Sequence, residues 1–180
     1  MVGRNYNTVD MQRDVIFSTT VFLQYEDEYL MMHRSGDVSV DKNRLNGIGG
    51  KLEEGENFLD AAIRETQEET GYKIAKEDLS FAGIIKLHGG YPQDWVMCFF
   101  TVRVMSKVIP HGNSVKEGEL LWMHKDEVLQ SEYELVDDLH YCWKEIIAGN
   151  TFFITEEVND QEKVENISMS VLPSKTPNNV

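Results

Sequence analysis

The run from Gly50 to Tyr72, GKLEEGENFLDAAIRETQEETGY, constrains this chain more than any other segment. Asn57 is a good N-cap, with Asp60 three residues on as a capping-box partner, and Gly71 is a plausible left-handed stop. Between them the spacing predicts a helix with Leu59, Ala62, Ile63 and Thr66 on its buried stripe. At about 100° per residue, Glu68 and Glu69 fall on either side of Glu65 along a narrow band. Three carboxylates so close repel one another unless a cation lies among them, and oxygen ligands of this kind suit Mg²⁺ or Mn²⁺. Just upstream, Asn46-Gly-Ile-Gly-Gly-Lys51 offers bare backbone that can come close to a phosphate or a metal. A polyanionic clamp beside a phosphate cradle points to metal-assisted phosphoryl chemistry.

The rest of the chain reads as strands around that helix. VIFSTTVFL, Val15 to Leu23, is rich in β-branched and aromatic residues and predicts a buried strand. Tyr29 to His33 forms its hairpin partner across Glu26-Asp27-Glu28, and Ser35 to Arg44 is a polar loop. Asn46 to Leu52 is expected to be a short strand running into the glycine turn. Further strands are expected near Leu79–Leu87, Trp95–Val104 and Glu119–His124. Asp126–Leu129 is expected to form a short helical turn. The loop HGGYPQD between the first and second of these strands is expected to rim a pocket. Asp137 to Ala148 predicts an amphipathic helix stopped by Gly149, and Thr151–Thr155 with Val164–Val171 a terminal hairpin. Strands alternating with two main helices give an α/β fold, an α/β/α sandwich with a mixed central sheet. A length of 180 residues fits one domain over 1–180, with a core of about 13–170 and flexible flanks at 1–12 and 172–180.

Charge and composition narrow the function. A formal net charge of −14 argues against non-specific nucleic-acid or anionic-membrane binding, and no duplex partner is expected. An acidic protein that binds a triphosphate needs local positive charge, and divalent metal is its natural source. No run of about 18 apolar residues suggests a membrane span, and the N-terminus shows no apolar signal region. A cytoplasmic location is expected, with Cys98 and Cys142 as buried reduced thiols. None of the five histidines has metal-ligand spacing. Trp122 and Trp143 are expected in the core, and Trp95 there or at the pocket edge.

At the glutamate stripe the chain resembles the Nudix hydrolases. Gly50, Glu56, Arg64-Glu65, Glu68-Glu69, Gly71 and Tyr72 match the Nudix box, and Thr66 stands where an aliphatic residue is usual. The resemblance implies that Gly49, Glu65, Glu68 and Glu69 hold Mg²⁺, for which Mn²⁺ substitutes, and that Arg64 orients a catalytic carboxylate. It also implies a distant loop carboxylate ahead of a Trp-bearing strand. In VKEGELLW this is Glu117, with Glu119 as the alternative.

Over roughly residues 15–170 the chain is further similar to the MutT-type 8-oxo-dGTP diphosphatases of the nucleotide-pool sanitising branch. Asn46 to Lys51 and the Asp137-Asp138 pair opening the last helix carry that likeness. It implies a substrate pocket drawn from Thr19, Arg34, Asn46, Ile48, Gly49, Gly50, Lys51, Leu135, Asp137 and Asp138, with Asn46 and the Asp pair reading a purine base. Leu135 stands where that branch has a stacking Trp, with Tyr133 nearby. By residue chemistry alone, Asp137 and Asp138 are equally a helix cap and a first-turn acid.

The resemblance implies hydrolysis of a purine nucleoside triphosphate to the monophosphate and pyrophosphate, by a monomer or homodimer. The alternatives are triphosphorylated or capped RNA ends, dinucleoside polyphosphates, sugar nucleotides, or a non-catalytic nucleotide-sensing module.

Overall fold

A computed structural model describes residues 13–35, 41–161 and 163–174. The flexibility expected of residues 1–12 and 175–180, and the middle of the polar loop after Arg34, lie outside the described residues. The sheet is mixed, in the order β10-β9-β4-β5-β1-β2-β3-β8, with β7 pairing both β2 and β6. The elements are β1 (Val15–Tyr25), β2 (Glu28–Arg34), β3 (Arg44–Asn46), α1 (Phe58–Thr70), β4 (Ser80–Gly89), β5 (Asp94–Arg103), β6 (Ser114–Val115), β7 (Gly118–His124), β8 (Glu134–Leu135), α2 (Asp137–Ala148), β9 (Thr151–Val158) and β10 (Val164–Leu172).

β1 is the hinge of the design. It pairs parallel with β5 from Val15↔Asp94 to Gln24↔Arg103 and antiparallel with β2. Its side chains alternate between two cores. Val21 and Leu23 join Leu30, Met32, Ala62 and Phe100 on the α1 side, whereas Phe22 joins Met31, Phe99, Leu139, Trp143 and Phe152 on the α2 side. Burial on both faces explains why β1 reads as a continuous apolar run rather than as an alternating one. The α/β/α sandwich expected from the sequence is therefore the observed architecture. Trp143 stacks edge-on against Phe22 and Tyr29 at 5.5 and 5.0 Å, and its indole N–H donates to the Lys125 carbonyl at 2.9 Å. Cys98 and Cys142 are buried free thiols, as expected. Among the described residues, no helix is long and apolar enough to cross a membrane.

Several local expectations shift. Asn46 to Leu52 is not one strand: regular pairing stops at Asn46, and Ile48 and Lys51 make only isolated bridges to Val21 and Ser18. The glycine turn needs backbone shapes that a ladder forbids, Gly49 having φ +149°. The helical turn expected at Asp126–Leu129 lies at Val128–Gln130, as a 3₁₀ turn. Leu172 ends β10, and the Ser174 N–H donates to Asn150 Oδ1 at 2.8 Å, so order runs past the expected core.

The start of α1 is capped as expected. Asn57 Oδ1 accepts from the N–H groups of Leu59 and Asp60 at 2.9 and 3.1 Å, and Asp60 accepts from the Asn57 N–H at 3.4 Å. Gly71 closes the helix at φ 78°. Asn57→Ala should cost about 1 kcal/mol of stability in urea unfolding, and Asn57→Asp much less. Equal midpoints for the wild type and Asn57→Ala would show that the cap contributes nothing.

Candidate active site

The glycine turn lies directly on β1. Thr19 N–H donates to the Gly50 carbonyl at 2.9 Å, and Val21 and Ile48 exchange hydrogen bonds at 2.6 and 3.0 Å. A Cβ on Gly49 would sit 2.1 Å from the Thr19 carbonyl oxygen, and one on Gly50 would sit 2.5 Å from Glu65 Oε1. Only bare backbone fits between β1 and the glutamates of α1.

Arg64 fastens the turn to the helix. Its Nε and Nη2 hold Glu56 in a two-point bond at 2.7 and 2.9 Å, and Nη2 also donates to the Lys51 carbonyl at 3.1 Å. Nη1 reaches Glu65 at 2.8 Å and Glu68 at 3.2 Å. This bond holds the Glu56 carboxyl down to about 2. Arg64 is thus an organiser of the whole box, more than a surface partner of Glu68.

The three helix glutamates occupy different surroundings. Glu69 is 7% exposed, its Oε2 accepting the Gly49 N–H at 3.0 Å and its Oε1 buried with no donor. Its other neighbour is Glu117, and two carboxyls can bond only by sharing a proton. Burial first, then the hydrogen bond and charge of Glu117, push the Glu69 carboxyl up to about 9. The hydrogen bond from Glu69 in turn holds Glu117 below its ordinary value. Glu65 is raised by burial against the pull of Arg64. Glu68 stands at the solvent edge, its side chain 62% exposed. Glu119 is exposed on β7 and does not join this group. Of the two loop acids that the sequence left open, the structure brings Glu117 to the stripe.

Among the described residues, no three acids or imidazoles are already drawn into a ready-made metal cage. Glu65 and Glu68 instead lean on Arg64. The donor set still fits a hard divalent cation: a buried carboxylate oxygen with no donor, and neighbouring acids that raise one another's proton affinity. The Gly49 carbonyl borders the same spot and accepts from Arg34 Nη2 at 3.2 Å.

On the other side of the turn is a cleft of about 120 Å³. Asn46, Arg44, Asp137, Asp138, Trp95, Tyr91 and Glu156 are among its lining residues. Asn46 Oδ1 accepts the Gly47 N–H at 2.7 Å, which leaves its Nδ2 to donate. Asp137 is held by Arg44 Nη1 at 3.4 Å. It does not cap α2: Val136 is the N-cap residue, without a side-chain cap bond.

The remaining expected pocket residues take other places. Thr19, Ile48 and Leu135 are buried and do not line the cleft: Ile48 lies in the α1-side core and Leu135 in the α2-side core. Arg34 lies beside Glu69 and Glu117 rather than at the base cleft. Tyr133 lies tilted against His33, ring centres 4.5 Å apart, and packs against the α2-side core rather than lining the cleft. Trp95 and Tyr91 supply the aromatic wall instead, and the Lys51 ammonium lies 5.1 Å from the Trp95 ring centre. This bears out the expectation that the HGGYPQD loop rims a pocket. Trp95 takes the pocket-edge place open to it, whereas Arg44 and Glu156 belong to no motif of the sequence. Glu156 had one readable signal, an acid at an inward position of the alternating run FFITEEV. A larger groove of about 530 Å³ near Gly149 and Arg103 touches neither the box nor the Asn/Asp constellation.

A family model described as the NUDIX domain matches residues 16–143. The uncharacterized Nudix hydrolase YvcI of Bacillus subtilis (strain 168) is 35% identical over 112 residues, which cover 61% of this chain and 66% of that relative. The chain therefore aligns with just under two thirds of that protein's length. Among solved structures, a mutator MutT protein of Bacillus halodurans superposes with a TM-score of 0.72 at 19% identity, covering 86% of this chain and 97% of that one. A MutT protein of Methanosarcina mazei Go1 gives 0.62 at 19% identity, over 76% and 95%. At these identities the superpositions show the fold.

The raised Glu69 carboxyl makes a stability prediction. Glu69 binds its proton more tightly folded than at its ordinary 4.5, so between that value and about 9 the folded state holds more protons than the unfolded state. Stability without divalent metal should therefore fall as pH rises through this window. Glu69→Gln should flatten the decline. Melting curves in EDTA at several pH values check this, and a wild-type Tm that rises with alkalinity would contradict it.

Proposed function

The chain belongs to the Nudix family of hydrolases, and from that premise we propose that it cleaves a purine nucleoside triphosphate of the 8-oxo-dGTP or dGTP kind to the monophosphate and pyrophosphate, with Mg²⁺. The observation that carries this reading is the double use of one short segment. Asn46 lines the cleft, while three and four residues on, Gly49 binds Glu69 and Gly50 abuts Glu65. A base in the cleft thus leads its phosphates along the glycine turn to the carboxylates.

Glu65, Glu68, Glu69, Glu117 and the Gly49 carbonyl would hold the ion, which when bound neutralises phosphate charge and makes water a better nucleophile. The chain's own residues do the rest. Arg64 fixes Glu65 and Glu68 from one guanidinium, so neither has to be ordered at the moment of reaction. Glu69 Oε1 has no donor of its own, and with its proton displaced by bound metal it would orient the attacking water and take its proton. Arg34 and Lys51 border the turn and meet the phosphates in a protein whose net charge is −14. Asn46 Nδ2 donates to the base, and Asp137 and Asp138 accept from it. Trp95 and Tyr91 give the ring a flat wall, the role the sequence had left between Leu135 and Tyr133.

Two sets of experiments test this. Glu68→Gln and Glu69→Gln should each lower kcat by roughly 10² or more while the protein stays folded. Wild-type turnover in excess EDTA would end the metal-dependent reading. With Mg²⁺ and a purine triphosphate, the released phosphorus should be pyrophosphate; inorganic phosphate alone would mean attack at a different bond.

The second concerns the base. Asn46→Ala should erode discrimination between purine and pyrimidine triphosphates and leave the metal requirement unchanged, because a site built for a base edge rejects others by leaving its own groups unpaired. Equal wild-type kcat/KM for dGTP, 8-oxo-dGTP, dCTP and dTTP would contradict a base-reading cleft.

A further inference from the structure

The cleft contains one acid that no motif accounts for. Along β9 the inward positions are Phe152, Ile154, Glu156 and Val158, and the outward ones Phe153, Thr155 and Glu157. Three of the four inward residues are apolar, as a strand packed under a helix requires. The fourth, Glu156, is 0% exposed, and neither of its oxygens meets a donor. Its neighbour is a second acid, Asp138, so the two carboxyls bond only by sharing a proton. Burial is the main cause that raises both, Glu156 to about 7 and Asp138 well above its ordinary value; Glu156 raises Asp138 further, whereas the hydrogen bond with Asp138 draws Glu156 back down.

A buried carboxyl with no donor is costly to keep, and the cost is relieved if a ligand brings the donor. The other polar side chains lining the cleft are Arg44, Asn46, Asp41, Asp137 and Tyr91. The Arg44 guanidinium is engaged with Asp137 and Glu134. Asn46 offers its Nδ2 as a donor. The remaining polar surface at Asp138 and Glu156 is a set of acceptors around one shared proton. One donor beside several acceptors complements an edge with one acceptor and two donors. Among the common bases, that is the 6-oxygen, N1–H and 2-amino edge of a 2-amino-6-oxopurine. Adenine presents a single amino donor beside a bare ring nitrogen, and hypoxanthine lacks the amino group.

We propose that Glu156 is a specificity-determining residue of this cleft, accepting the 2-amino group of a guanine-type base while Asp138 accepts N1–H and Asn46 donates to the 6-oxygen. This rests on the purine-triphosphate reading above and extends it to a single functional group of the base. It also explains why β9 keeps an acid where its neighbours are Ile154 and Val158: within the protein the carboxyl meets only a second acid, and the substrate brings it an N–H donor.

The test compares dGTP with dITP, which differs only by loss of the 2-amino group, in the full-length protein with Mg²⁺ and pyrophosphate as the readout. Wild type should favour dGTP by at least about tenfold in kcat/KM, since a site with buried polar groups penalises the analogue that leaves them unpaired. Glu156→Leu, which fits the apolar pattern of the strand, should bring the two substrates to within about threefold by lowering kcat/KM for dGTP, with dITP little changed. Glu156→Gln keeps the volume and one acceptor and should fall between them. It decides the matter if the Leu variant does not fold.

A purely structural Glu156 would slow both substrates alike, and an unchanged dGTP-to-dITP ratio in the variants overturns the proposal. So does a wild type that cleaves both equally well, although that result leaves the triphosphatase reading standing. A wild type that releases pyrophosphate from neither removes the triphosphatase reading and this inference with it.

Discussion

The site depends on a backbone approach that no side chain could permit. Gly49 passes so close to Thr19 that a Cβ would stand 2.1 Å from its carbonyl oxygen, and Gly50 leaves a similar gap for Glu65. That approach brings the turn into hydrogen-bonding range of β1, the strand through which both cores are joined. Once the turn is seated, the Gly49 N–H can hold Glu69 and the Lys51 carbonyl can receive Arg64. The box is therefore a packing solution before it is a chemical one. Two glycines let a loop and a helix share a strand, and Arg64 ties the loop to the helix through four partners.

The sequence made the scaffold legible where one element is decided by local chemistry. α1 has its cap at Asn57, its stop at Gly71 and its acids in order, and each appears where spacing placed it. α2 likewise runs from Asp137 to Ala148 and ends on Gly149. β1 was legible because both of its faces are buried. The region Asn46–Leu52 was less so, because its path is set by contact with Thr19 and Val21, which no local propensity encodes. The same holds for the loop acid: Glu117 and Glu119 have similar local sequence, and only the pairing of β7 with β2 decides which one turns toward Glu69.

The base cleft was half legible for a related reason. Asn46, Asp137 and Asp138 were found by likeness and do border one space. Leu135 was expected to border it by sequence offset from the Asp pair, but it lies in the core because β8 pairs with β3 through Leu45 and turns the side chain under α2. Aromatic surface comes instead from β5 and the loop before it, far away in sequence. Glu156 comes from β9, which reaches the cleft because α2 and the parallel pairing of β4 with β9 carry it there. Residues brought by sheet order leave little trace in spacing, and only the period-two pattern of β9 marked this one.

Two pairs of acids lie on either side of the turn, each with one buried member, Glu69 and Glu156, and the same physics acts on both. In each, burial drives a carboxyl toward its protonated form, and a second acid accepts or shares the proton. Around Glu69 and Glu117 the surroundings are ionic and open on one side, with Arg34, Arg64, the exposed Glu68 and a backbone carbonyl close by. A hydrated divalent ion needs several oxygens and room for its water, and that environment offers both. Asp138 and Glu156 are walled by Met97, Val136, Val158 and Trp95. A hydrated ion would have to shed most of its shell to enter there, whereas a flat heterocycle gains from the same apolar walls and brings donors to the acids at the end. A molecule that is a heterocycle at one end and a chain of phosphates at the other presents matching chemistry to each pair, with the glycine turn between them.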